Sequence, residues 1–313
     1  MPWLICGTVP DEHFELVHTK WHLDGDTLRT EEGSTPEIAV HRGTPALLAT
    51  AILACTALEV ELPEALLVGD TGQGKGSRRL YAELANGLKG ASLSGVTFHY
   101  LYPDIDAHNR VLMAMEERDP RPLLVADAGF MYVAKMSGYA TSYDMFTPDV
   151  GELAFLADEK SPHPFYTRGF LLAEEKDIPR LVARAYGHDN AARCLLIKGS
   201  TDHIYLGGTF KGCVTEPSVP AMEAIGGTGD IITGLVTALL MRGLALEHAT
   251  MAAAHVGRLL AKLVCPTPAT QVAELLPHIP SALRIFLASD LGHDYVLNDM
   301  SQGKTSSSME NDS

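Results

Sequence analysis

Basic residues are scarce in this chain of 313 residues. It carries 24 lysines and arginines against 39 aspartates and glutamates, which gives a formal net charge of −15 at pH 7. Nucleic acids and anionic membrane surfaces are bound through positively charged footprints, so the composition argues against both kinds of partner. A phosphate-bearing ligand would therefore have to be held locally, by backbone N–H groups and a few cations.

Long apolar runs and a disulfide framework are also missing from the sequence. No apolar stretch approaches the roughly 18 residues that a membrane-spanning helix needs, and the first residues lack the charge and length of a secretion signal. The five cysteines are odd in number and widely spaced, which is typical of reduced, buried thiols. We expect a cytoplasmic protein that has no membrane partner, and a homo-oligomer is left open.

What the sequence does contain is an alternation of short apolar strands and helices. Hydrophobic residues make up 46% of the chain, enough for a large core. Candidate strands at 65–69, 123–127, 143–148 and 193–199 are separated by candidate helices. This order predicts an α/β fold with a doubly wound, mostly parallel central sheet flanked by helices, and ligands at the carboxyl ends of the strands.

The two ends of the chain differ from the segment between them. We expect a main domain over residues 41–290, a short N-terminal extension of a strand and a hairpin over 1–40, and a disordered polar tail over 301–313. His41 and Arg42 come just before the first buried helix and could face the ligand-binding edge of the sheet.

The most informative segment is residues 224–240, where a glycine-rich loop runs into an apolar helix. Small residues let backbone N–H groups approach an anion, and the helix N-terminus adds a positive partial charge. Asp230, in the first turn, could take a proton from a nearby hydroxyl. The alternative is a tight connection with an ordinary first-turn aspartate. The predicted anion hole consists of Gly226, Gly227, Thr228 and Gly229.

Polar side chains also follow three of the predicted strands. Asp127 ends one strand, Asp149 and Glu152 follow the next, and Lys198 closes a third, where its charge could neutralise a phosphate. A capping box at the start of a helix explains the spacing of Asp149 and Glu152 equally well. The turn after Lys198, for which a solvated turn is the alternative, contains Gly199, Ser200, Thr201 and Asp202.

A second glycine-rich loop, residues 69–77, follows the strand at 65–69. It contains G-x-x-x-x-G-K, but Gly76 stands where a nucleotide-binding P-loop has the hydroxyl that holds Mg²⁺. We expect Gly72 and Gly74 to contact a ligand, with a plain strand-to-helix turn as the alternative. No set of histidine, cysteine and carboxylate side chains has metal-ligand spacing, so the sequence predicts no metal site.

Taken in order, these residues resemble the ribokinase-like superfamily, and most closely its ADP/ATP-dependent NAD(P)H-hydrate dehydratase branch. The resemblance covers residues 40–285 and rests on the loop at 69–74, Thr147-Pro148-x-x-Gly151-Glu152, Lys198-Gly199 and Gly226-Gly227-Thr228-Gly229-Asp230. It implies that ATP or ADP is bound with Mg²⁺ and that the phosphates lie on the amides of residues 226–229. The nucleotide-binding residues that it implies are Lys198, Gly199, Ser200, Thr201, Asp202 and Gly229.

The resemblance also implies a reaction. Asp230 would face a substrate hydroxyl, and the implied chemistry is phosphoryl transfer to the hydroxyl of hydrated NADH or NADPH (NADHX or NADPHX). Loss of phosphate then restores the reduced nicotinamide cofactor. The substrate-binding residues that it implies are Gly72, Gly74, Asp127, Asp149, Glu152 and Asp230.

Three segments on the substrate side differ from the family pattern. The family's Gly-Pro-Gly-Leu-Gly is replaced by residues 69–74, its threonine–proline–histidine by Thr147-Pro148-Asp149, and its Asp-Ala-Asp by Asp127-Ala128-Gly129. These differences leave two alternatives open. One is an ATP-dependent kinase of a sugar or vitamin precursor, and the other is a non-catalytic nucleotide-binding protein.

Overall fold

The computed structural model of this protein describes residues 1–30, 36–87, 92–161, 167 and 172–295. The polar tail predicted over 301–313 lies outside the described residues. None of the helices in the described ranges is long and apolar enough to cross a bilayer.

Eleven strands in the described part of the chain form one sheet. They are β1 (Trp3–Val9), β2 (Val17–Asp24), β3 (Thr27–Thr30), β4 (Ile38–Ala39), β5 (Glu64–Gly69), β6 (Gly95–His99), β7 (Leu123–Ala126), β8 (Met145–Phe146), β9 (Cys194–Ile197), β10 (Asp202–Leu206) and β11 (Thr209–Val214). Their order across the sheet is β11-β10-β9-β8-β7-β6-β1-β5-β2-β3-β4. The strands from β9 to β5 are parallel, and antiparallel strands extend both edges.

Helices cover both faces of this sheet. They are α1 (Thr44–Ala57), α2 (Lys75–Asn86), α3 (Ile105–Glu116), α4 (Gly129–Met136), α5 (Val150–Leu156), α6 (Ile178–Gly187), α7 (Thr228–Met241), α8 (Leu246–Val264), α9 (Val272–Leu275) and α10 (Ile279–Leu287). One core contains α1, α7, α8 and α10, and the other contains α2 to α6. Alternate side chains of the central strands enter opposite cores, as Ile5 and Cys6 of β1 do. The doubly wound, mostly parallel sheet is thereby confirmed.

The first strand does not belong to an N-terminal extension. β1 lies in the middle of the sheet, between β5 and β6, so the expectation that residues 1–40 stand outside the main fold is wrong for Trp3–Val9. A short apolar strand at a chain terminus gives no indication of where it pairs, because its neighbours are distant in sequence. The hairpin predicted around the Asp24-Gly25 turn is present as β2 and β3.

β6 was not predicted from the sequence. Its five residues include the polar Thr97 and His99, both fully buried. Thr97 Oγ1 accepts the Trp3 indole N–H at 2.9 Å and lies 2.9 Å from Thr237 Oγ1. Hydrogen-bond partners on distant elements therefore allow polar residues at the centre of the sheet. A search for apolar runs does not detect a strand that contains them.

The cysteines differ in part from the expectation. All five are free, and Cys6, Cys55 and Cys194 are buried as predicted. Cys213 and Cys265 are exposed, so the expectation of buried thiols is wrong for these two.

The glycine-rich loop after β5 is closed by its own aspartate. Asp70 Oδ1 accepts the backbone N–H groups of Gly72, Gln73 and Gly74, each at 3.0 Å. Its Oδ2 accepts the N–H and the hydroxyl of Ser77 at 2.9 and 2.8 Å. These donors already bind an anionic group of the protein, so this loop does not offer them as a phosphate cradle.

Helices α1 and α7 pack closely enough to require a glycine. A Cβ atom at Gly234 would lie 2.5 Å from the carbonyl oxygen of Leu47 and 2.7 Å from Thr50 Cβ. This close contact fixes the N-terminal turn of α7, and with it Asp230, relative to the residues that precede α1.

We expect Gly234→Ala to lower the free energy of unfolding by about 1–3 kcal/mol, because the added methyl group meets backbone that cannot move aside. Gly187→Ala is the matched control, since its Cβ would meet no atom within 4 Å and alanine favours the helix. Urea denaturation measures both variants. Equal stability of the two variants would contradict the packing argument.

The stabilising effect of the Asp70 carboxylate should depend on pH. Burial alone would raise the pKa of Asp70, but the donors from Ser77, Gly74 and Gly72 outweigh it and hold the pKa below its ordinary value. Its stabilising effect is therefore present above the ordinary pKa and is lost as the pH falls through the folded-state value.

We expect Asp70→Asn to lower the free energy of unfolding by about 1–3 kcal/mol at pH 7, because an amide replaces one accepting oxygen with a donor. The difference from the wild type should shrink below about pH 4. Asp189→Asn, at an exposed position, is the control and should change little at either pH. A pH-independent difference for Asp70→Asn would rule out the charge-based explanation.

Candidate functional site

A cavity of about 790 Å³ lies at the carboxyl ends of the parallel strands. The segments after β7, β8 and β9, the N-terminal turn of α7 and one turn of α8 line it. Parallel strands bring the residues that follow them to one edge, which is where α/β sheets bind ligands. The structure gathers most of the predicted site residues here, namely Asp127, Asp149, Glu152, Lys198, Gly199, Ser200, Asp202, Gly226, Gly227, Thr228, Gly229 and Asp230.

The loop before α7 offers free backbone donors to this cavity. Gly227 caps the helix with φ of 102°, a conformation that favours glycine. First-turn amides have no partner within a helix, and no described residue accepts the N–H groups of residues 226–229. Arg42 runs alongside, with its Cβ 3.3 Å from where a Cβ of Gly227 would lie, and it lines the cavity as the sequence suggested.

Asp230 projects from the first turn of α7 toward the same cavity. Its Oδ2 accepts the backbone N–H of Gly43 at 2.5 Å, and its side chain is 10% exposed. The carboxylate is therefore buried enough to be held in one orientation and open enough to meet a ligand.

Lys198 is paired inside the protein. Its Nζ lies 3.1 Å from both oxygens of Asp127, and Asp127 Oδ2 also accepts the Thr233 hydroxyl at 2.5 Å. Burial alone would raise the pKa of Asp127, but the Lys198 ammonium and the neighbouring donors hold it below its ordinary value. The carboxylates of Asp127 and Glu152 in turn raise the pKa of Lys198 against the effect of burial.

Asp149 and Glu152 form the capping box at the start of α5. Asp149 Oδ1 accepts the N–H of Glu152 at 2.8 Å, and Glu152 Oε2 accepts the N–H of Asp149 at 2.9 Å. Glu152 Oε1 also accepts the Tyr132 hydroxyl at 2.8 Å. Burial raises the pKa of Glu152 to about 7, which Lys198 opposes and the nearby carboxylates of Asp149 and Asp127 reinforce. Both side chains cap the helix and border the cavity.

The turn after Lys198 is fixed by two residues that the sequence analysis did not consider. Glu175 accepts the N–H and hydroxyl of Ser200, both at 2.6 Å, and the N–H of Thr201 at 3.4 Å. Arg258, from α8, pairs with the buried Asp202 at 2.9 Å and donates to the carbonyl oxygens of residues 199, 200 and 215. Neither partner could be found from sequence spacing, because both lie on distant elements.

Gly72 borders a second, smaller cavity of about 300 Å³. This cavity shares Tyr100, Ala128 and Glu152 with the larger one, and Tyr102 and Tyr132 also line it. Gly74 is buried, and a Cβ there would lie 2.9 Å from the Tyr102 ring. Gly74 therefore packs against Tyr102, whereas Gly72 borders the smaller cavity, where no atom lies within 4 Å of the position that a Cβ would take.

The fold also assembles a group that sequence spacing does not show. One ligand atom each of His99, Asp127 and Asp230 lies within 4.8 Å of the others, an arrangement that could hold a metal ion. The sequence-based expectation of no metal-ligating set missed it because the three residues lie far apart in the chain, at the end of β6, directly after β7 and in the first turn of α7.

The family comparison agrees with this architecture. The model of the NAD(P)H-hydrate dehydratase family matches residues 104–280. The uncharacterized protein MJ1337 of Methanocaldococcus jannaschii is 36% identical over 219 residues, which are 70% of this chain and 90% of that protein. The ADP-dependent (S)-NAD(P)H-hydrate dehydratase of Nitrosopumilus maritimus is 30% identical over 178 residues, and the match covers 56% of each chain.

Solved structures share the fold at low sequence identity. The ADP/ATP-dependent NAD(P)H-hydrate dehydratase from Bacillus subtilis, co-crystallized with ATP/Mg²⁺ and soaked with CoA, is 15% identical, with a TM-score of 0.55 over 91% of each chain. The pyridoxal kinase from Staphylococcus aureus in complex with pyridoxal is 12% identical, with a TM-score of 0.52 over 84% of this chain and 88% of that one. The fold is ribokinase-like, and because the family model matches more than half of its length, the chain belongs to the NAD(P)H-hydrate dehydratase family.

Proposed function

We propose that the protein is an ADP- or ATP-dependent dehydratase of hydrated NADH or NADPH. It would transfer a phosphoryl group to the substrate hydroxyl and then release phosphate. The observation that carries the proposal is the position of Asp230, a carboxylate held at the edge of a large cavity directly beside backbone donors without partners. Family membership supports the choice of substrate.

The larger cavity has the properties that a nucleotide requires. Its volume of about 790 Å³ lies within the usual range for small-molecule sites. The amides of residues 226–229 suit a phosphate group, and the helix dipole acts in the same direction. Arg42 would neutralise the charge of the phosphate. The sequence suggests Lys198 for this role, but Lys198 is already paired with Asp127.

Carboxylates around the cavity fit a divalent cation. Mg²⁺ binds through one or two carboxylates together with substrate phosphates, and Asp149, Glu152 and Asp230 line this cavity. When bound, Mg²⁺ would neutralise charge on the transferring phosphoryl group.

Asp230 would act as the general base. It takes the proton of the substrate hydroxyl while the hydroxyl oxygen forms a bond to phosphorus and the nucleotide leaves. In the second step the C–O bond breaks, phosphate departs, and loss of a ring proton restores the double bond of the reduced nicotinamide. The smaller, tyrosine-lined cavity next to Glu152 has room for the ring of the acceptor.

A kinase that forms a stable phosphorylated product is the second candidate. The capping role of Asp149 favours it, since the family's pattern has a histidine at this position and the carboxylate is engaged by its own helix. Two assays with Mg²⁺ separate the candidates. In the first, hydrated NADH or NADPH with ADP or ATP should regain the absorbance of reduced nicotinamide. In the second, ATP with pyridoxal or sugars would yield a stable phosphate ester only if the protein is a kinase.

We expect Asp230→Asn to lower kcat by about 10²–10⁴-fold, the usual contribution of a general base, with little change in nucleotide affinity. Single-turnover kinetics and isothermal titration calorimetry measure the two quantities. Asp189→Asn, on the surface, is the matched control. A near-normal rate for Asp230→Asn would exclude Asp230 as the base.

The position of Arg42 leads to a separate prediction about nucleotide affinity. We expect Arg42→Ala to weaken ADP and ATP binding about tenfold or more, because a charge-assisted contact to phosphate is lost. The control is Arg184→Ala, which removes an exposed arginine from α6, away from both cavities. Unchanged affinity for Arg42→Ala in calorimetry would contradict the placement of the phosphates beside this side chain.

A further inference from the structure

We propose that His99 is a positioning residue for Asp230, through a chain of contacts from Thr44 to His99 to Asp230 beneath the larger cavity. His99 ends β6 and is fully buried. It is absent from the described residues that line either cavity. It therefore acts on neighbouring side chains and not on a ligand.

The geometry of the imidazole carries the inference. Nδ1 lies 3.1 Å from Thr44 Oγ1, and Nε2 lies 3.1 Å from Asp230 Oδ1 and 3.9 Å from Asp127 Oδ2. Nε2 is completely buried and makes no hydrogen bond of normal geometry with the described residues. A buried nitrogen in this state requires an explanation. The negative charge of the two nearby carboxylates, Asp230 and Asp127, stabilises the buried Nε2 electrostatically.

Electrostatics assigns the proton on the ring. A lone pair on Nε2 would lie close to the carboxylate oxygens of Asp230 and Asp127 and would be repelled by both, whereas an N–H is attracted to both. We therefore assign the proton to Nε2, with Nδ1 accepting the hydroxyl of Thr44.

The result is a carboxylate held from two sides. Gly43 donates its N–H to Oδ2 of Asp230 at 2.5 Å, and His99 approaches Oδ1. Rotation of the carboxylate would break the hydrogen bond from Gly43 and move Oδ1 away from His99, so these two contacts favour one orientation of the carboxylate at the edge of the cavity. Such fixed orientation is a large part of the efficiency of a catalytic group.

The same three groups are a poor site for a metal ion. Lys198 Nζ lies 3.1 Å from both oxygens of Asp127, and Thr233 donates to Oδ2 of that carboxylate. A divalent cation would add charge next to the ammonium group and compete for oxygens that are already engaged. These contacts favour a proton on His99 over a cation shared with Asp127 and Asp230.

The experiment compares His99→Leu and His99→Gln. The inference rests on the proposed function, because it assumes that Asp230 is the base. We expect His99→Leu to lower kcat about 10- to 100-fold through misplacement of Asp230, with nucleotide affinity unchanged. His99→Gln should recover part of the loss, since its amide N–H can reach the position of Nε2.

His108→Leu is the matched control. His108 is also fully buried, with Nε2 2.8 Å from the Tyr143 hydroxyl, but it does not contact Asp230. We expect this control to lower the free energy of unfolding while kcat is retained. An equal loss of kcat in His108→Leu and His99→Leu would show that general destabilisation explains the effect, and it would overturn the inference.

A spectroscopic measurement needs no substrate. In the protein labelled with ¹⁵N-histidine, the His99 resonances should show the proton on Nε2, and Nε2 should remain protonated when Zn²⁺ alone is added. A proton on Nδ1 only, or stoichiometric metal binding that His99→Leu abolishes, would overturn the inference. A wild-type protein without phosphoryl-transfer or dehydratase activity would refute the proposed function, whereas the spectra would still decide the role of His99.

Discussion

The buried ion pair between Lys198 and Asp127 is the interaction on which the rest of the site depends. It joins the ends of β7 and β9 across β8, with both carboxylate oxygens 3.1 Å from the ammonium nitrogen. Removing one partner of such a pair typically costs about 3–5 kcal/mol, because the other charge is left buried alone. The pair therefore fixes the floor of the cavity, which both residues line, and it balances the charge of Lys198 within the protein.

Internal acceptors decide where an anion can bind. The carboxylate of Asp70 accepts hydrogen bonds from backbone N–H groups of the loop after β5, and the carboxylate of Glu175 accepts them from the turn after β9. The loop before α7 is different, since no described acceptor takes the N–H groups of residues 226–229. Among these turns, the one before α7 combines N–H groups that no described residue accepts with the carboxylate of Asp230. The cavity combines these donors with Arg42.

Parts of the fold could be predicted because their causes are local. Apolar runs bounded by glycine or proline give β5, β7 and β9, and the glycine loop followed by an apolar segment gives α7. The sequence does not indicate that β1 lies in the centre of the sheet, and it does not indicate β6. The first is too short to show its neighbours, and the second contains Thr97 and His99, which are tolerated only because distant residues contact them.

The sequence by itself determined the α/β class and the family resemblance, and it pointed to the glycine-rich loop before α7 with its acidic residue, because all of these depend on short motifs and on their order along the chain. Only the tertiary structure decided that Lys198 is paired with Asp127 and that His99 lies close to Asp127 and Asp230. It also decided that the carboxylates of Asp70 and Glu175 accept hydrogen bonds from the loops after β5 and β9. The physical reason is that charge pairing and burial act through distance in space. The sheet brings together the ends of strands that are separated by tens of residues in the chain.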